Sequence, residues 1–302
     1  MILELPGFKR YQSRWLPNVE NSSYWLKKVL ELEMEPNAET LNFDEIEIYL
    51  RTKIIGIGDL GSKMVNYSIA NNLNAEFAVV AAKNEPLLNS SAPQRLKLSD
   101  TTDEDTKNNL SELVKGLDLL FIFTDLTDEN ISTQIAKLSK SYLTIAIVSN
   151  SAPNKEKFQN LVDSLISVED NNIFLMYSAV RCVNILVNGP QLVGLDFADV
   201  QSVLKNNGKG YVTYAKATGE TAEVDAMKYA INSAKDILNK SKGILCCIFG
   251  STEDISMMAV NEATILLGEV AHPEAEILWG VSTDVIGADF VEVILIVTDL
   301  VQ

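Results

Sequence analysis

The chain has 302 residues, 47% of them hydrophobic, and a formal net charge of −16 at pH 7. The apolar fraction excludes a disordered chain, and the length is enough for about two domains. The negative charge disfavours nucleic acid and anionic membrane surfaces as main partners, because both attract positive potential.

The remaining composition predicts a cytoplasmic protein without membrane insertion. The start, "MILELPGFKR", lacks the basic-then-apolar order of a signal peptide, and the most apolar segment, "FVEVILIVTDLV", is interrupted by two acidic residues. The three cysteines are typical of a reduced protein with packed thiols: Cys182, Cys246 and Cys247. A single histidine, His272, argues against a His-rich metal site and against a Ser-His-Asp arrangement.

Residues 1–50 are predicted to be an acidic N-terminal extension. Within it, "SSYWLKKVLELE" predicts an amphipathic helix capped by Ser22 or Ser23. We expect its apolar stripe to pack on the main body rather than on a partner.

Residues 51–168 alternate between strand and helix patterns. "KIIGIG" predicts a buried strand, followed by a helix from about Ser62 to Asn71 and by the strand "FAVVAA". The strands "DLLFIFTD" and "LTIAIVSN" flank the helical "ENISTQIAKLSKS", and "LVDSLISV" closes this half. Such alternation predicts a Rossmann-like parallel sheet that is covered on both faces.

The second half has a different pattern. Residues 169–193, with "FLMYSAVRCVNILVNG", predict a central connecting helix. Residues 194–302 predict an α/β lobe with a mixed sheet. One of its helices has an apolar face formed by Val224, Met227, Ile231, Ala234 and Leu238, and another is "SMMAVNEATILLGEVA". Its strands are "GILCCIFG", "AEILWGVSTD" and "DFVEVILIVTDL".

Three glycines follow the first predicted strand. Gly56, Gly58 and Gly61 form a G-x-G-x-x-G pattern whose backbone N–H groups, with Ser62, could hold phosphate. The alternative is that they serve only a tight turn and close helix packing. A third possibility is an NADP-type site, because Lys83 ends the second strand where NAD sites carry an acidic residue.

The other half of a phosphate site should come from the later strand ends, which are acidic here. Nine acidic residues and two lysines lie between Ser99 and Asn130, and "FTDLTDENIST" contains no glycine. A triphosphate beside this segment would meet like charge and few free N–H donors.

Two aspartates open the segment "GLDFADVQSVLKNNG". Asp196 and Asp199 could form a metal site, a catalytic pair or a simple helix start. Spacing alone favours the helix start, with Gly208 as a left-handed cap.

From Lys53 to Leu300 the sequence resembles the tubulin/FtsZ superfamily, and FtsZ in particular. "KIIGIGDLGSKMVN" is similar to the first FtsZ glycine loop, and "GLDFADVQSVLKNNGKG" to its catalytic loop. "AKATGET", "GILCCIFGSTEDISMMAVNEA" and "VEVILIVTDL" resemble the C-terminal lobe. The resemblance implies a GTPase lobe, a central helix and a C-terminal lobe, in subunits that stack head to tail.

The resemblance also implies roles for particular residues. Asp196 and Asp199 would act in trans on a GTP held by the neighbouring subunit, with no metal site of their own. Gly56, Gly58, Gly61 and Ser62 would be what remains of the nucleotide loop.

The departures from the family pattern shape the functional hypothesis. "TDLTDEN" replaces the glycine-rich phosphate loop, a second glycine-rich loop is absent between Leu98 and Asp103, and Gly194 replaces the leading asparagine of the catalytic loop. We therefore expect no GTP or GDP binding, or only weak binding. Assembly would be with itself or with an FtsZ-type protein. The alternative is an active, divergent GTPase that forms GTP-dependent filaments.

Overall fold

The structure is a computed structural model that describes residues 50–98, 104–170, 172–205, 208–251, 255–283 and 289–300. The predicted helix with Ser22 or Ser23 at its cap lies outside the described residues, as does nearly all of the predicted N-terminal extension.

The first half of the sheet consists of parallel strands connected mainly by helices. The strands are β1 (Thr52–Ile57), β2 (Glu76–Ala81), β3 (Gln94–Lys97), β4 (Leu119–Thr124), β5 (Leu143–Ser149) and β6 (Ser164–Val168). The helices are α1 (Gly58–Ala70), α2 (Asn84–Leu88), α3 (Glu104–Leu113), α4 (Glu129–Leu138) and α5 (Lys155–Gln159). In the order β3-β2-β1-β4-β5-β6 every neighbouring pair is parallel. Strands β1, β4 and β5 are buried along their whole length, as their continuous apolar sequences require.

The second half begins with a long helix and carries a mixed sheet. Its helices are α6 (Ile173–Asn188), α7 (Phe197–Leu204), α8 (Ala222–Leu238) and α9 (Met257–Val270). Its strands are β7 (Gln191–Val193), β8 (Gly208–Thr218), β9 (Ser241–Phe249), β10 (Glu276–Ser282) and β11 (Phe290–Leu300). Strand β11 pairs antiparallel with β8 and β9, while β9 and β10 are parallel and β7 is an antiparallel edge strand. The predicted fold class is therefore confirmed.

A parallel pairing of β6 with β8 joins the two halves into one 11-stranded sheet. It runs from Ser164 opposite Gly208 to Ile166 opposite Gly210. Helix α6 is largely buried, as an apolar helix should be. It packs in a hydrophobic core that also contains side chains from strands of both halves. The sheet is thus continuous past residue 194, and the division into four segments stays a prediction.

Two element boundaries differ from the prediction at glycines. Helix α1 begins at Gly58 rather than near Ser62, because a φ of +69° at Gly58 turns the strand directly into the helix. Gly208 has the predicted left-handed backbone, with a φ of +62°, but it opens β8 instead of capping α7, which ends at Leu204.

Candidate functional site

The predicted nucleotide loop is a contact between two backbones. Gly56 lies in β1 and Gly61 in α1, and a Cβ built on Gly56 would lie 2.2 Å from the Gly61 carbonyl oxygen. A Cβ on Gly61 would lie 2.4 Å from the Gly56 carbonyl carbon and 2.8 Å from the Phe123 oxygen. Both glycines are therefore required for helix–strand packing, whatever the junction binds.

Ser62 and Lys83 differ in their exposure to solvent. Ser62 is buried, and its hydroxyl donates a hydrogen bond of 2.8 Å to the Pro86 carbonyl of α2. Lys83 is exposed and immediately precedes α2. The Ser62 hydroxyl thus holds α2 against α1.

Two backbone N–H groups of the turn after β4 donate to side chains of the same turn. The Leu126 N–H donates to Thr124 Oγ1 at 2.9 Å, and the Thr127 N–H donates to Asp125 Oδ1 at 3.0 Å. The Thr127 hydroxyl also donates to Asp125 Oδ1, at 2.6 Å. Leu126 has a φ of +61° and a buried side chain, so the turn is anchored in the core.

Asp128 follows this turn and lies beside the start of α1. Its Oδ2 would be 3.4 Å from a Cβ on Gly58. Asp128 stands at the N-cap position of α4, yet its side chain makes no capping hydrogen bond there. The next residue, Glu129, accepts a hydrogen bond of 2.8 Å from Asn154 Nδ2.

A second carboxylate lies beyond the end of β5. Asp170 accepts hydrogen bonds from the Ser149 hydroxyl and from the Ser151 N–H, the latter at 3.0 Å. The Ser149 hydroxyl, followed by the contacts with Ser151, holds the pKa of Asp170 below its usual value. Because the carboxyl ends of parallel strands share one edge of a sheet, these groups and the Gly58 junction lie at the same edge.

The two predicted catalytic aspartates lie at the start of α7. Asp196 is the N-cap residue, and its Oδ1 accepts a hydrogen bond of 3.0 Å from the Asp199 N–H. Asp199 is half-buried, and desolvation, then the charges of Asp196 and Glu276, raise its pKa. Among the described residues, no group of three side chains is placed to hold a metal ion.

Glu276 is the site residue that sequence reasoning missed. It opens β10, and its Oε1 lies 3.0 Å from Ser202 Oγ, which also donates to the Asp199 carbonyl at 2.7 Å. Glu276 is far from Asp199 in sequence, and only the packing of α7 beside β10 brings the two together.

Gly194 has a packing reason to lack a side chain. A Cβ there would lie 2.2 Å from Gln191 Oε1, and the Gln191 amide donates a hydrogen bond of 2.6 Å to the Ile185 carbonyl. An asparagine at this position would displace Gln191 from that contact.

Known proteins resemble the chain over most of its length, although no protein-family model matches it. Cell division protein FtsZ 1 of Thermococcus kodakarensis is 23% identical over 305 residues, covering 83% of this chain and 81% of the relative. A structure of FtsZ from M. jannaschii has a TM-score of 0.76 at 18% identity, covering 92% of this chain and 96% of that one. The GDP-bound monomer of CetZ1 from Haloferax volcanii has a TM-score of 0.62 at 15% identity, covering 84% of this chain and 95% of that one. The chain is thus similar to FtsZ in sequence over most of its length, and it has the fold of the FtsZ and CetZ structures.

In this FtsZ-like chain, the predicted site residues form two groups at opposite edges of the sheet. Gly58 and Asp128 lie at the carboxyl ends of β1 and β4. Glu276, beside Asp199, lies at the amino end of β10, which runs in the same direction as β1. One chain therefore cannot bring both groups to a single ligand. In the part of the chain that the structure describes, no helix is long and apolar enough to cross a membrane.

Proposed function

We propose that this FtsZ-like chain binds GTP weakly or not at all and acts by head-to-tail assembly. The edge that carries Asp196 and Asp199 would dock on a nucleotide-bearing FtsZ relative, and the opposite edge would present no nucleotide of its own. M. jannaschii FtsZ has also been solved as an empty dimer, with a TM-score of 0.73 to this chain at 18% identity and 91% and 92% coverage.

The observation that carries the proposal is the turn after β4. A phosphate loop holds its ligand through free backbone N–H groups. Here the N–H groups of Leu126 and Thr127 are used by the side chains of Thr124 and Asp125. A triphosphate would have to break these bonds and approach the Asp125 carboxylate, which opposes it by like charge.

Charge favours a relative over a second copy of this chain as the partner. Head-to-tail stacking of two copies would bring together the acidic residues of both edges, and like charges across an interface disfavour association. The residues concerned are Asp125, Asp128 and Glu129 at one edge and Asp196, Asp199 and Glu276 at the other.

The Asp196 edge keeps chemistry that a neighbour could use. Asp196 is exposed, and one of its oxygens is engaged by the Asp199 N–H. Its other oxygen and the Asp199 carboxylate could orient water or a cation beside a neighbour's nucleotide. This chain would thus supply the acidic half of a hydrolytic site, and the neighbour would supply the nucleotide. Such a role does not require this chain to bind GTP itself.

Calorimetric titration tests whether this chain binds a nucleotide of its own. We expect no binding heat for GTP or GDP up to concentrations at which a nucleotide-competent FtsZ, run in parallel, saturates. Micromolar binding would contradict the proposal and favour the alternative of an active, divergent GTPase.

Phosphate release by a nucleotide-competent FtsZ tests the docking edge. We expect the wild-type chain to change this rate, and Asp196→Asn and Asp199→Asn to remove the effect. Asparagine at position 196 keeps helix α7 capped, so a lost effect would report on charge rather than on folding. No effect of the wild-type chain, or the same effect from both variants, would refute docking through these aspartates.

A further inference from the structure

Helix α9 has an outer face that exposes apolar side chains. This face comprises Met258, Glu262, Ile265, Gly268 and Glu269, all of them exposed. The inner face, with Val260, Ala263 and Leu267, is buried in a hydrophobic core that also contains side chains of α8 and β9. Met258 and Ile265 lie two turns apart on the outer face and are 85% and 53% exposed. A helix that packs on one side is ordinarily polar on the other, so the fold itself does not require these apolar side chains.

Gly268 is a second feature of the outer face that the fold does not require. Its backbone is helical, so it serves no left-handed turn. No described atom that could obstruct a Cβ there lies within 4 Å. Glycine inside a helix costs about 0.5–1 kcal/mol relative to alanine, and its usual benefit is the close approach of another backbone or a ligand. Gly268 lies three residues after Ile265, so it leaves a gap beside this exposed side chain that another molecule could enter.

The charges of α9 indicate which kind of molecule fits. The helix contains two glutamates and neither lysine nor arginine. Glu262 lies four residues after Met258, and Glu269 lies four residues after Ile265. The carboxylates therefore follow one side of the apolar pair, while Gly268 lies on the other side.

This pattern favours a basic partner over the alternatives. A second copy of this chain would bring a net charge of −16 and its own glutamates to the contact. An anionic membrane would meet the same repulsion. Like charges across an interface disfavour association, whereas lysine or arginine beside the glutamates would favour it.

We propose that the outer face of α9 docks a basic amphipathic helix of a partner protein. The apolar side chains of that helix cover Met258 and Ile265. Its lysine or arginine residues face Glu262 and Glu269, and its backbone comes closest at Gly268. Methionine suits such a surface because its flexible side chain adapts to the shape of a partner. This docking requires neither GTP binding nor the aspartates of α7, so it goes beyond the proposed function.

Fluorescence anisotropy with the full chain and two labelled peptides tests the proposal. Each peptide is alanine-rich and has about 18 residues, long enough to be partly helical by itself. The first carries leucines at helical spacing on one face and lysines along both borders of that face. In the second, glutamate replaces every lysine. We expect wild type to bind the lysine peptide about tenfold or more tightly than the glutamate peptide.

Three variants test whether the lysine peptide binds on α9. Met258→Gln and Ile265→Gln remove apolar surface without changing the net charge, and Gly268→Ala fills the gap. Each should weaken binding of the lysine peptide about fivefold or more. Gly268→Ala should at the same time raise Tm, so its loss of binding cannot come from misfolding. Leu88→Gln is the matched control, since Leu88 is 79% exposed on α2 and should not affect the peptide.

A pair of charge variants separates the glutamates of α9 from the net charge of the protein. Glu269→Gln should weaken the lysine peptide. Glu274→Gln removes the same charge from an exposed residue beyond the end of α9 and should leave the affinity unchanged. Equal effects of the two variants would assign the binding to net charge and would overturn the proposal.

The remaining outcomes are equally decisive. Equal binding of the two peptides by wild type, or equal binding of the lysine peptide by wild type and Gly268→Ala, would overturn the proposal. So would the absence of binding up to about 1 mM of the lysine peptide. Analytical ultracentrifugation of the full chain tests a second copy as the occupant. A dimer that Met258→Gln dissociates would assign the outer face of α9 to self-association instead.

Discussion

Asp128 and Asp196 each stand at the N-cap position of a helix, on opposite edges of one sheet. Asp196 caps its own helix, while the carboxylate of Asp128 lies beside the first residue of α1. The same residue type at the same helical position is thus used differently. Local sequence determines the helix start in both cases, but it does not determine whether the carboxylate caps that helix.

The two edges also differ in what they leave available. At the Gly58 edge, backbone donors, hydroxyls and carboxylates contact one another, as Thr124 with Leu126 and Ser149 with Asp170 show. At the Asp196 edge, the like charges of the aspartates and of Glu276 lie close enough to raise the pKa of Asp199. The groups named at the first edge satisfy one another, whereas the second edge keeps an electrostatic cost that an external cation or partner could relieve.

The largest loss of stability should come from substituting a glycine at the junction of β1 and α1, where Gly56 and Gly61 pack backbone against backbone. In Gly61→Ala the new Cβ would meet the Gly56 backbone at 2.4 Å, and backbone cannot move aside as a side chain can. We expect a loss of about 3 kcal/mol in the free energy of unfolding, measured by urea denaturation without any ligand.

Gly268→Ala is the matched control. Gly268 lies in α9, and no described atom that could obstruct a Cβ there lies within 4 Å. Alanine at this exposed helical position should add about 0.5–1 kcal/mol to stability. If Gly61→Ala were as stable as wild type, the glycine pattern would not be a packing requirement.

The sequence predicts the long elements well because burial imposes clear periods. β1, β4, β5, α6 and α8 lie where their apolar patterns place them. The short elements were not predicted, since four or five residues carry too little periodicity and several are polar. Three of these are α2 (Asn84–Leu88), β3 (Gln94–Lys97) and α5 (Lys155–Gln159). Helix α2 packs on β2, β3 pairs with β2, and α5 has Phe158 buried in the core.

The candidate site could be predicted only in part. The aspartate pair and the glycine pattern are visible in the sequence because their members are close together along the chain. The approach of Asp128 to Gly58, and that of Glu276 to Asp199, depend on strand order, which no local pattern encodes. The acidity of the turn after β4 suggests from the sequence that a phosphate would be disfavoured there. The hydrogen bonds that occupy the N–H groups of Leu126 and Thr127 are visible only in the structure.

A smaller effect should separate the two N-cap aspartates. Asp196→Ala removes the acceptor of the Asp199 N–H and should lower the free energy of unfolding by about 1 kcal/mol. Asp196→Asn should retain most of that stability, because asparagine caps equally well. Asp128→Ala removes no cap from α4, so we expect a smaller loss, of about 0.5 kcal/mol, from removing a carboxylate beside the start of α1. Equal losses for the two alanine variants, measured by urea denaturation, would remove the distinction drawn between the two edges.

The smallest effect, and the sharpest contrast, lies in how the two edges respond to pH. The pKa of Asp170 is lowered by the Ser149 hydroxyl, so Asp170 contributes stability above its unfolded pKa that is lost as the pH falls through its folded pKa. The pKa of Asp199 is raised by desolvation and by Asp196, so its contribution is present below the unfolded pKa and is lost as the pH rises through the folded pKa. Carboxyl NMR should show Asp170 titrating at lower pH than Asp199.

Two variants turn that order into a stability test. At pH 7, Asp199→Asn should raise Tm slightly, since it removes a charge that folding disfavours, while Asp170→Asn should lower it. The Asp199→Asn gain should vanish below about pH 3.8, where the carboxyl is protonated in both states. Glu276→Gln should lower the pKa of Asp199 by removing one like charge, and should leave Asp170 unchanged at the other edge. If Asp199 titrated at or below Asp170, the Asp196 edge would carry no electrostatic cost for a partner to relieve.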